Sequence, residues 1–390
     1  MNILGRRYDT GKAVSLTLDG DRIRSIDDLS ESTEDESTLP WISAGFVDLQ
    51  INGYGGQEFN DLSLTPENVK EVSLALDACG VTCYLPTATT HSFEMLKHTL
   101  EIIAEACETI PQCASRIPGI HLEGPYISRD DGPRGAHPLQ HVRLPDWDEF
   151  QKLQDAAQGR IRLLTLSPEY DGSADFIANV ANSGVLVAIG HTAANSEQIE
   201  AAVDAGARMS THLGNGAHGQ IRRHPNYIWD QLADDRLIAS LIADGHHLPA
   251  SVVKSFVRAK TVDRCVLVSD MMGMGGMPPG LYEKTSIGAV EMLEDGRLVV
   301  AGQRQYLAGA ALPIGVGVVN VMRFAGVNLK TAIEMVTAGP ARLIGIDAGT
   351  LSAGSPADLA LFDLPGDNDD ANLRIRATVK SGEIVFGSLS

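Results

Sequence analysis

The feature that most constrains the fold is an alternation of short apolar runs with longer segments of helical period. The runs are GFVDLQIN, VTCYLPTA, PGIHLEG, IRLLTLSPE, VLVAIGH, ARMSTH, IASLIADGHH and RCVLVSD. Between them lie segments such as PENVKEVSLALDACG and SEQIEAAVDAGA, in which apolar residues recur at helical spacing and a glycine comes near the end. Strands that alternate with helices form parallel sheets. Eight such units predict an α/β protein with a (β/α)₈ TIM barrel.

The two ends of the chain have a different pattern. VSLTLDGDRIRSI near the start alternates apolar and polar residues, and LALFDL and ATVKSGEIVF near the end are strand-like and bounded by turns. We therefore expect both ends to pair outside the barrel in a small β-sandwich domain. The predicted boundaries are 1–44 plus 345–390 for this domain and 45–344 for the catalytic barrel.

Charge and cysteine content narrow the class of protein. The formal net charge of −19 repels nucleic acid and anionic lipid, so we expect neither as a partner. A small anionic substrate remains compatible, because a local basic pocket dominates at short range. The five cysteines are scattered without a CxxC pair, and the start of the chain lacks the apolar core of a signal peptide. These features predict a reduced, cytoplasmic protein.

Polar residues able to bind metal or move protons follow the apolar runs. They are Gln50, Asn52, Glu123, Glu169, His191, His212, His247 and Asp270. Catalytic groups of a (β/α)₈ barrel lie at the C-terminal ends of its strands. So many polar residues at one face of the barrel are difficult to explain by packing.

Glu123, His191 and His212 form the predicted metal site. One carboxylate and two imidazoles suit Zn²⁺, with Fe²⁺, Mn²⁺ and Co²⁺ as alternatives, and leave a coordination position for water. A divalent ion lowers the pKa of a bound water to about 7. Each histidine taken singly is equally compatible with a structural hydrogen bond at the end of a strand, and the combination favours the metal.

Two further residues have predicted catalytic roles. Asp270 ends the last strand, where a carboxylate can take a proton from water and return it to a leaving group. A helix-capping role is the structural alternative for Asp270. His137, in RGAHP, can donate a hydrogen bond to a carbonyl oxygen in the transition state, although a surface histidine is an equal alternative. His247 is the better candidate for substrate contact, with His246 as the competing choice.

A basic cluster, Arg222-Arg223-His224, stands out in an acidic chain. Arginine binds phosphate with two parallel hydrogen bonds, although a solvated surface run is the alternative interpretation. Asn215 and Gly216 directly follow the His212 strand, where backbone N–H groups of a loop can also bind an anion.

These motifs together resemble the N-acetylglucosamine-6-phosphate deacetylase family of the amidohydrolase superfamily. The resemblance runs from about Gly45 to Pro340 and continues into GTLSAGSPADLALFD. The motifs that carry it are GFVDLQINGYGG, HLEGPYIS, GAHP, GHT, THLGN, IADGHH, LVSD, LAGA and TAGPARLIGI.

The resemblance implies the same metal ligands, with Asp270 as the proton carrier. It implies substrate contacts from Ala136, His137, Asn215, Gly216, Arg223, His247, Leu307, Ala308 and Gly309. In this family the residue matching Arg223 reaches in from a neighbouring subunit, which implies a homodimer.

The first strand predicts the number of metal ions. Many amidohydrolases carry a His-x-His pair there for a second ion, whereas this chain has Gln50 and Asn52. Amide side chains are poor ligands for Zn²⁺. We therefore expect one catalytic metal ion, as in the subgroup of the family that has this replacement.

The resulting prediction is an enzyme that hydrolyses a linear amide. The expected reaction converts N-acetylglucosamine-6-phosphate to glucosamine-6-phosphate and acetate. The segments GAHGQIRRHP and MMGMGGMPPG depart from the best-known members. The alternative substrates therefore stay open: N-acetylgalactosamine-6-phosphate, another N-acyl amine, a cyclic amide or an aminopurine. A non-catalytic assembly protein on the same barrel is the alternative from a different class.

Overall fold

The computed structural model describes residues 1–29, 38–285, 288–366 and 372–389. Its strands in chain order are β1 (Asn2–Arg7), β2 (Ala13–Asp19), β3 (Arg22–Asp28), β4 (Trp41–Ala44), β5 (Phe46–Ile51), β6 (Gly53–Tyr54), β7 (Gln57–Glu58), β8 (Val81–Thr89), β9 (Ile120–Glu123), β10 (Ile161–Leu166), β11 (Leu186–Ile189), β12 (Ala207–Ser210), β13 (Ile238–Leu241), β14 (Cys265–Leu267), β15 (Gly280–Tyr282), β16 (Val290–Met292), β17 (Leu298–Val300), β18 (Gln303–Gly309), β19 (Leu359–Asp363), β20 (Arg374–Lys380) and β21 (Glu383–Gly387).

The helices lie mainly between the barrel strands. In chain order they are α1 (Pro66–Ala75), α2 (Phe93–Thr109), α3 (Pro111–Arg116), α4 (Trp147–Ala156), α5 (Ser173–Asn182), α6 (Ser196–Ala205), α7 (Tyr227–Ala233), α8 (Ala250–Lys260), α9 (Ile314–Ala325), α10 (Leu329–Glu334) and α11 (Ala338–Ile344). Helix α6 illustrates why they form: a capping box of Asn195 and Gln198 satisfies its first N–H groups. Among the described residues, no helix is long and apolar enough to cross a membrane.

The eight predicted barrel strands are all present. They form one parallel sheet in the order β5, β8, β9, β10, β11, β12, β13, β14, which follows the chain. The first and last strands meet beyond their ladders, where Asp270 N–H donates to Gln50 O at 3.0 Å and Asn52 N–H donates to Met271 O at 2.8 Å. These bonds bring the two edges of the sheet together, so the prediction of a (β/α)₈ barrel is confirmed.

The barrel interior changes from apolar to polar toward the C-terminal ends of its strands. An apolar cluster includes Leu49, Leu163 and Met209 from three different strands. Above it, His121 Nε2 lies 2.8 Å from Thr165 Oγ1. His121 is two residues before Glu123, and alternate residues of a strand share a face. A polar layer therefore separates the apolar interior from the predicted metal ligands.

Both ends of the chain contribute to one β domain, as predicted. Its seven strands have the order β21, β20, β19, β4, β1, β2, β3. All neighbours are antiparallel except β1 and β4, and the antiparallel pair of β4 and β19 joins the N-terminal strands to the C-terminal ones. The edge strand β3 curls back to the segment before β19, since Ile23 N–H donates to Ser355 O at 2.9 Å. The β domain is thus built from a single curled sheet that packs around its own core.

A four-stranded antiparallel sheet that the sequence analysis did not predict lies between the last barrel strand and α9. Strands β15 to β18 pair in chain order. The face of this sheet packs on the methionine-rich loop after Asp270, in a cluster that contains Met274, Val290, Met292 and Leu298. The loop is therefore covered by folded structure, which places the end of β18 beside the barrel mouth.

Candidate active site

The three predicted metal ligands meet at the C-terminal end of the barrel. Glu123 ends β9, and His191 and His212 each stand two residues after a barrel strand. Glu123 Oε1 lies 3.0 Å from His212 Nε2 and 3.2 Å from His191 Nε2. The two Nε2 atoms are 3.1 Å apart. All three side chains are buried, and together they are a candidate metal-binding group.

The spacing of these atoms fits one small divalent ion. Ligand atoms about 2.0–2.1 Å from a tetrahedral ion lie about 3.3 Å from one another. The observed separations of 3.0–3.2 Å approach that value. Two imidazole nitrogens and a carboxylate oxygen are also the donor set that Zn²⁺ and similar ions prefer. The residues present therefore fit the metal that the sequence predicts.

The surrounding loop fixes the ring of His191. His191 Nδ1 lies 2.8 Å from the carbonyl oxygen of Pro133, so Nδ1 carries the proton and donates it. Nε2 then has a lone pair available for a metal. Gly216 packs on the same ring, because a Cβ atom there would stand 2.7 Å from His191 Nδ1. Only glycine fits this approach, and its φ of +57° also favours glycine.

Electrostatics keep the ligand carboxylate ionised. Burial raises the pKa of Glu123, but its hydrogen bonds and electrostatic interactions with His191 and His212 outweigh burial and hold the pKa well below its usual range. For His212 burial lowers the pKa, and the hydrogen bond and charge of Glu123 raise it above the usual value. The centre therefore has the negative carboxylate that a cation requires.

Asp270 stands next to this group at the end of the last barrel strand. Its Oδ1 accepts a hydrogen bond from Asn52 Nδ2 at 2.8 Å. Burial, and then the negative charge of Glu123, raise the pKa of Asp270 to about 6. A carboxylate with a pKa near neutrality can accept and return a proton at physiological pH. The environment of Asp270 thus suits the proton transfer expected of it.

His137 also lies at the centre. Its Nε2 is 3.3 Å from His191 Nε2, and the two rings meet edge to face with centroids 4.3 Å apart. Burial, and then the neighbouring His191, lower the pKa of His137 to about 3. The ring is therefore neutral at physiological pH. A neutral imidazole keeps one N–H, which can donate to a carbonyl oxygen.

The two adjacent histidines in IADGHH have different surroundings. His247 Nδ1 lies 2.7 Å from Asp244 Oδ2, and the His247 side chain is only 14% exposed. Its charge also lowers the pKa of Asp270, although less than burial raises it. His246 instead contacts the carbonyl of Asp295, in the turn between β16 and β17, at 3.2 Å. The geometry favours His247 as the histidine that faces the site.

The other predicted contacts lie on loops around the barrel mouth. Asn215 N–H donates to His212 O at 2.9 Å, which ties the Asn215-Gly216 turn to a metal ligand. Ala136 is exposed beside His137. Leu307, Ala308 and Gly309 are the last residues of β18, and Gly309 lies against Met272. Arg223 is exposed in the loop before α7, and among the described residues no contact joins its side chain to the metal ligands.

Glu169, one of the polar residues after the apolar runs, does not join the metal ligands. Its carboxylate accepts hydrogen bonds from Ser128 Oγ at 3.0 Å, Ser167 Oγ at 2.7 Å and Ala193 N–H at 2.7 Å. It therefore fixes the loop that follows His191. The sequence analysis also missed Asp244, although an acid three residues before a candidate histidine is a usable signal for a hydrogen-bonded pair.

Comparison with known proteins identifies the family. The model of the amidohydrolase family matches residues 41–385. The chain belongs to the amidohydrolase family. The match spans the whole barrel and most of the C-terminal part of the β domain, so it covers every residue of the candidate site. It confirms the superfamily that the motifs predicted, and with it a metal-dependent hydrolase.

Relatives of this amidohydrolase include deacetylases of amino sugar phosphates. The chain is 32% identical over 334 residues to the N-acetylgalactosamine-6-phosphate deacetylase of Escherichia coli O157:H7, covering 85% of each protein. It is 32% identical over 356 residues to the N-acetylglucosamine-6-phosphate deacetylase of Bos taurus, covering 88% of this chain and 83% of the relative. The deacetylase resemblance predicted from the sequence motifs is thereby confirmed.

A solved structure agrees over nearly the whole chain. It is a point mutant of N-acetyl-D-glucosamine-6-phosphate deacetylase from Mycobacterium smegmatis in complex with N-acetyl-D-glucosamine-6-phosphate. The TM-score is 0.85 with 28% identity, and the alignment covers 98% of this amidohydrolase and 99% of that chain. The β domain and the barrel both match, so the fold of the whole described chain is that of these deacetylases.

Proposed function

We propose that this amidohydrolase removes the acetyl group of an amino sugar 6-phosphate, with N-acetylglucosamine-6-phosphate as its substrate. The observation that carries the proposal is the Glu123, His191 and His212 cluster beside Asp270, in a chain whose relatives are amino sugar phosphate deacetylases. The products are acetate and glucosamine-6-phosphate.

Glu123, His191 and His212 hold one divalent ion in this proposal, with Zn²⁺ preferred and Fe²⁺, Mn²⁺ and Co²⁺ as alternatives. When bound, the ion polarises a carbonyl oxygen and lowers the pKa of a bound water. A single ion is expected because Gln50 and Asn52 occupy the positions of the His-x-His pair. Their amide nitrogens face Glu123 and Asp270 at 3.0 and 2.8 Å.

Asp270 and His137 perform the proton and hydrogen-bond chemistry. Asp270 takes a proton from the attacking water and delivers it to the nitrogen of the leaving amino sugar. His137, kept neutral by its low pKa, donates an N–H to the oxygen of the acetamide carbonyl as negative charge develops there. The two residues lie on separate loops of the barrel mouth, which follow β9 and β14.

The sugar phosphate is held by loops around the mouth. The proposed contacts are Ala136, Asn215, Gly216, Arg223, His247, Leu307, Ala308 and Gly309. Asp244 supports the assignment of His247, because its carboxylate lies 2.7 Å from His247 Nδ1 and holds the ring in place. Arg223 is proposed to contact the phosphate of the substrate that is bound to the neighbouring subunit of a homodimer. Exposed Ile221 and Trp229, 42% and 54% accessible in the same segment, support an interface there.

A cytoplasmic location is part of the same proposal. The five cysteines are free, and each is buried. Buried free thiols are typical of proteins that fold in a reducing compartment.

The galacto epimer is the second candidate substrate. Among the relatives, those from Escherichia coli O157:H7 and from a Shewanella strain are N-acetylgalactosamine-6-phosphate deacetylases, at 32% and 31% identity. N-acetylglucosamine-6-phosphate deacetylases among the relatives are 27–32% identical to the chain, so overall similarity does not separate the epimers.

A turnover assay tests the proposal. It compares N-acetylglucosamine-6-phosphate, its galacto epimer and unphosphorylated N-acetylglucosamine, each with added Zn²⁺ and with chelator. We expect rapid metal-dependent acetate release from the gluco phosphate, slower release from the epimer and least from the unphosphorylated sugar. Equal turnover with and without phosphate, or no turnover of any of the three, contradicts the proposed substrate.

A further inference from the structure

The amides of Gln50 and Asn52 each contact a different carboxylate of the site. Gln50 Nε2 lies 3.0 Å from Glu123 Oε1. Asn52 Nδ2 lies 2.8 Å from Asp270 Oδ1. Ionised carboxylates only accept hydrogen bonds, so the NH₂ side of each amide must face its carboxylate. The chemistry therefore fixes the orientation of both amides without ambiguity.

Both amides are held rigidly on the first barrel strand. Gln50 and Asn52 are 0% and 3% exposed. The backbone beside them is bonded on both sides, since Gln50 O accepts Asp270 N–H at 3.0 Å and Asn52 N–H donates to Met271 O at 2.8 Å. Donors on such a fixed strand can restrain a neighbouring carboxylate, because their own positions do not adjust.

We propose that Gln50 and Asn52 are positioning residues with separate tasks. Gln50 orients Glu123 for metal binding, and Asn52 orients Asp270 for proton transfer. The proposal rests on the metal ligands and proton carrier of the proposed function. The two positions that hold ligands of a second metal ion in other amidohydrolases would thus position the residues of a single-metal site here.

The physical basis differs for the two amides. Glu123 Oε1 faces both imidazole nitrogens, so a hydrogen bond to that atom holds the carboxylate where a metal needs it. On Asp270 the amide occupies Oδ1, which leaves Oδ2 to accept and release the proton. The amides are neutral, so they add no charge beside the two carboxylates. They are also poor ligands for Zn²⁺, so they do not compete with the carboxylates for the ion.

The test separates the two tasks by measuring metal affinity and turnover independently. Gln50→Ala and Asn52→Ala are compared with the wild-type protein. Asn60→Ala serves as the matched control, because Asn60 is a nearby amide whose partners among the described residues are the backbone groups of Thr87 and Thr89. Zn²⁺ affinity is measured by chelator competition, and kcat and KM are measured with saturating Zn²⁺.

For Gln50→Ala we expect the Kd for Zn²⁺ to rise about 10- to 100-fold, as for other residues that hold a metal ligand in place. Turnover at saturating Zn²⁺ should stay within about threefold of wild type, since metal excess restores occupancy. For Asn52→Ala we expect kcat to fall about 10- to 100-fold, while KM and the Kd for Zn²⁺ change by less than about threefold. Asn60→Ala should change neither quantity.

The proposal is overturned if both variants lose metal affinity equally, or if Asn52→Ala keeps full kcat. Failure of the proposed substrate is a distinct outcome, seen as a wild type that binds one Zn²⁺ but releases no acetate. In that case the Zn²⁺ affinity of Gln50→Ala still tests whether Gln50 orients Glu123.

The role of Asn52 is then tested by a double-mutant cycle of Asn52→Ala and Asp270→Ala, in which the urea midpoint of each apoprotein is measured. If the two single substitutions shift the midpoint additively, Asn52 and Asp270 do not interact directly.

Discussion

At the scale of single residues, the site is built from backbone conformations that side chains rarely adopt. His191, His212 and Asp270 have positive φ angles of 48°, 27° and 52°. Non-glycine residues in this region cost energy and cluster at functional sites. The sequence predicted which residues meet, because each follows an apolar run of a barrel. It did not predict their partners Pro133 and Asn52, since such contacts depend on loop geometry.

Replacement of Asp270 tests its proton-transfer role. Asp270→Asn keeps the size of the side chain but removes its ability to accept a proton. We expect kcat to fall by about 10²- to 10⁴-fold, because that is the usual contribution of a general acid–base group. Metal content, measured by elemental analysis, should stay that of the wild type. Near-normal turnover would refute the assignment.

At the scale of secondary-structure elements, strand periodicity predicted all eight barrel strands. The four-stranded sheet of β15 to β18 was missed for a physical reason. Three of its strands have only three residues, Gly280–Tyr282, Val290–Met292 and Leu298–Val300. A stretch this short has no measurable alternation, and its stability comes from packing on the methionine-rich loop.

Leu298→Ala tests whether that packing maintains the sheet. Leu298 is fully buried in the cluster beneath the sheet. Truncation of a buried leucine costs about 2–5 kcal/mol, depending on how far the cavity collapses. We expect faster amide hydrogen exchange in residues 288–309, with the barrel strands less affected. Leu281→Ala is the control, because Leu281 is 61% exposed in the same sheet. Equal exchange in both variants would show that the sheet does not depend on this core.

A buried acid joins the first and last barrel strands and predicts a pH dependence of stability. Asp48 accepts hydrogen bonds from Ser269 N–H at 3.2 and 3.3 Å. Burial, only partly offset by these bonds, raises its pKa to about 7. Asp48 binds its proton more tightly in the folded protein than in the unfolded one. Its contribution to the free energy of unfolding is therefore complete below the unfolded pKa of about 3.9, and it is lost as the pH rises toward 7.

Asp48→Asn should remove this dependence. Between pH 4.5 and about 6.5 the apoprotein's free energy of unfolding should decline more steeply in wild type, by at most about 1.4 kcal/mol per pH unit. The measurement is urea unfolding of both apoproteins at several pH values. Parallel curves for the two proteins would exclude the assigned role of Asp48.

At the scale of the whole molecule, an acidic protein must bind an acidic substrate. The net charge is −19, so local positive charge has to provide the attraction. The sequence identified Arg222 and Arg223 as the basic cluster. It could not place them relative to the phosphate, because the proposed contact crosses a subunit boundary. Both residues are exposed in the single chain.

Arg223→Ala tests this contact. We expect KM for the phosphorylated sugar to rise about 10- to 100-fold, since a charge-assisted pair with phosphate is lost, while kcat changes little. Arg222→Ala is the matched control from the same loop and should have a smaller effect. Mixed dimers of Arg223→Ala and Asp270→Asn chains add a direct check. The one site that keeps Asp270 should show the wild-type KM if the arginine acts across the interface, and the raised KM if the arginine acts within its own chain.

The central claim is that Glu123, His191 and His212 together hold one catalytic ion. The most direct measurement is the metal content per chain, by elemental analysis after dialysis against Zn²⁺, of wild type and of Glu123→Gln, His191→Ala and His212→Ala. The account predicts one ion per wild-type chain and greatly reduced content in every variant, with each variant folded by circular dichroism. Full metal content in folded variants, or a wild type that binds none, would contradict it.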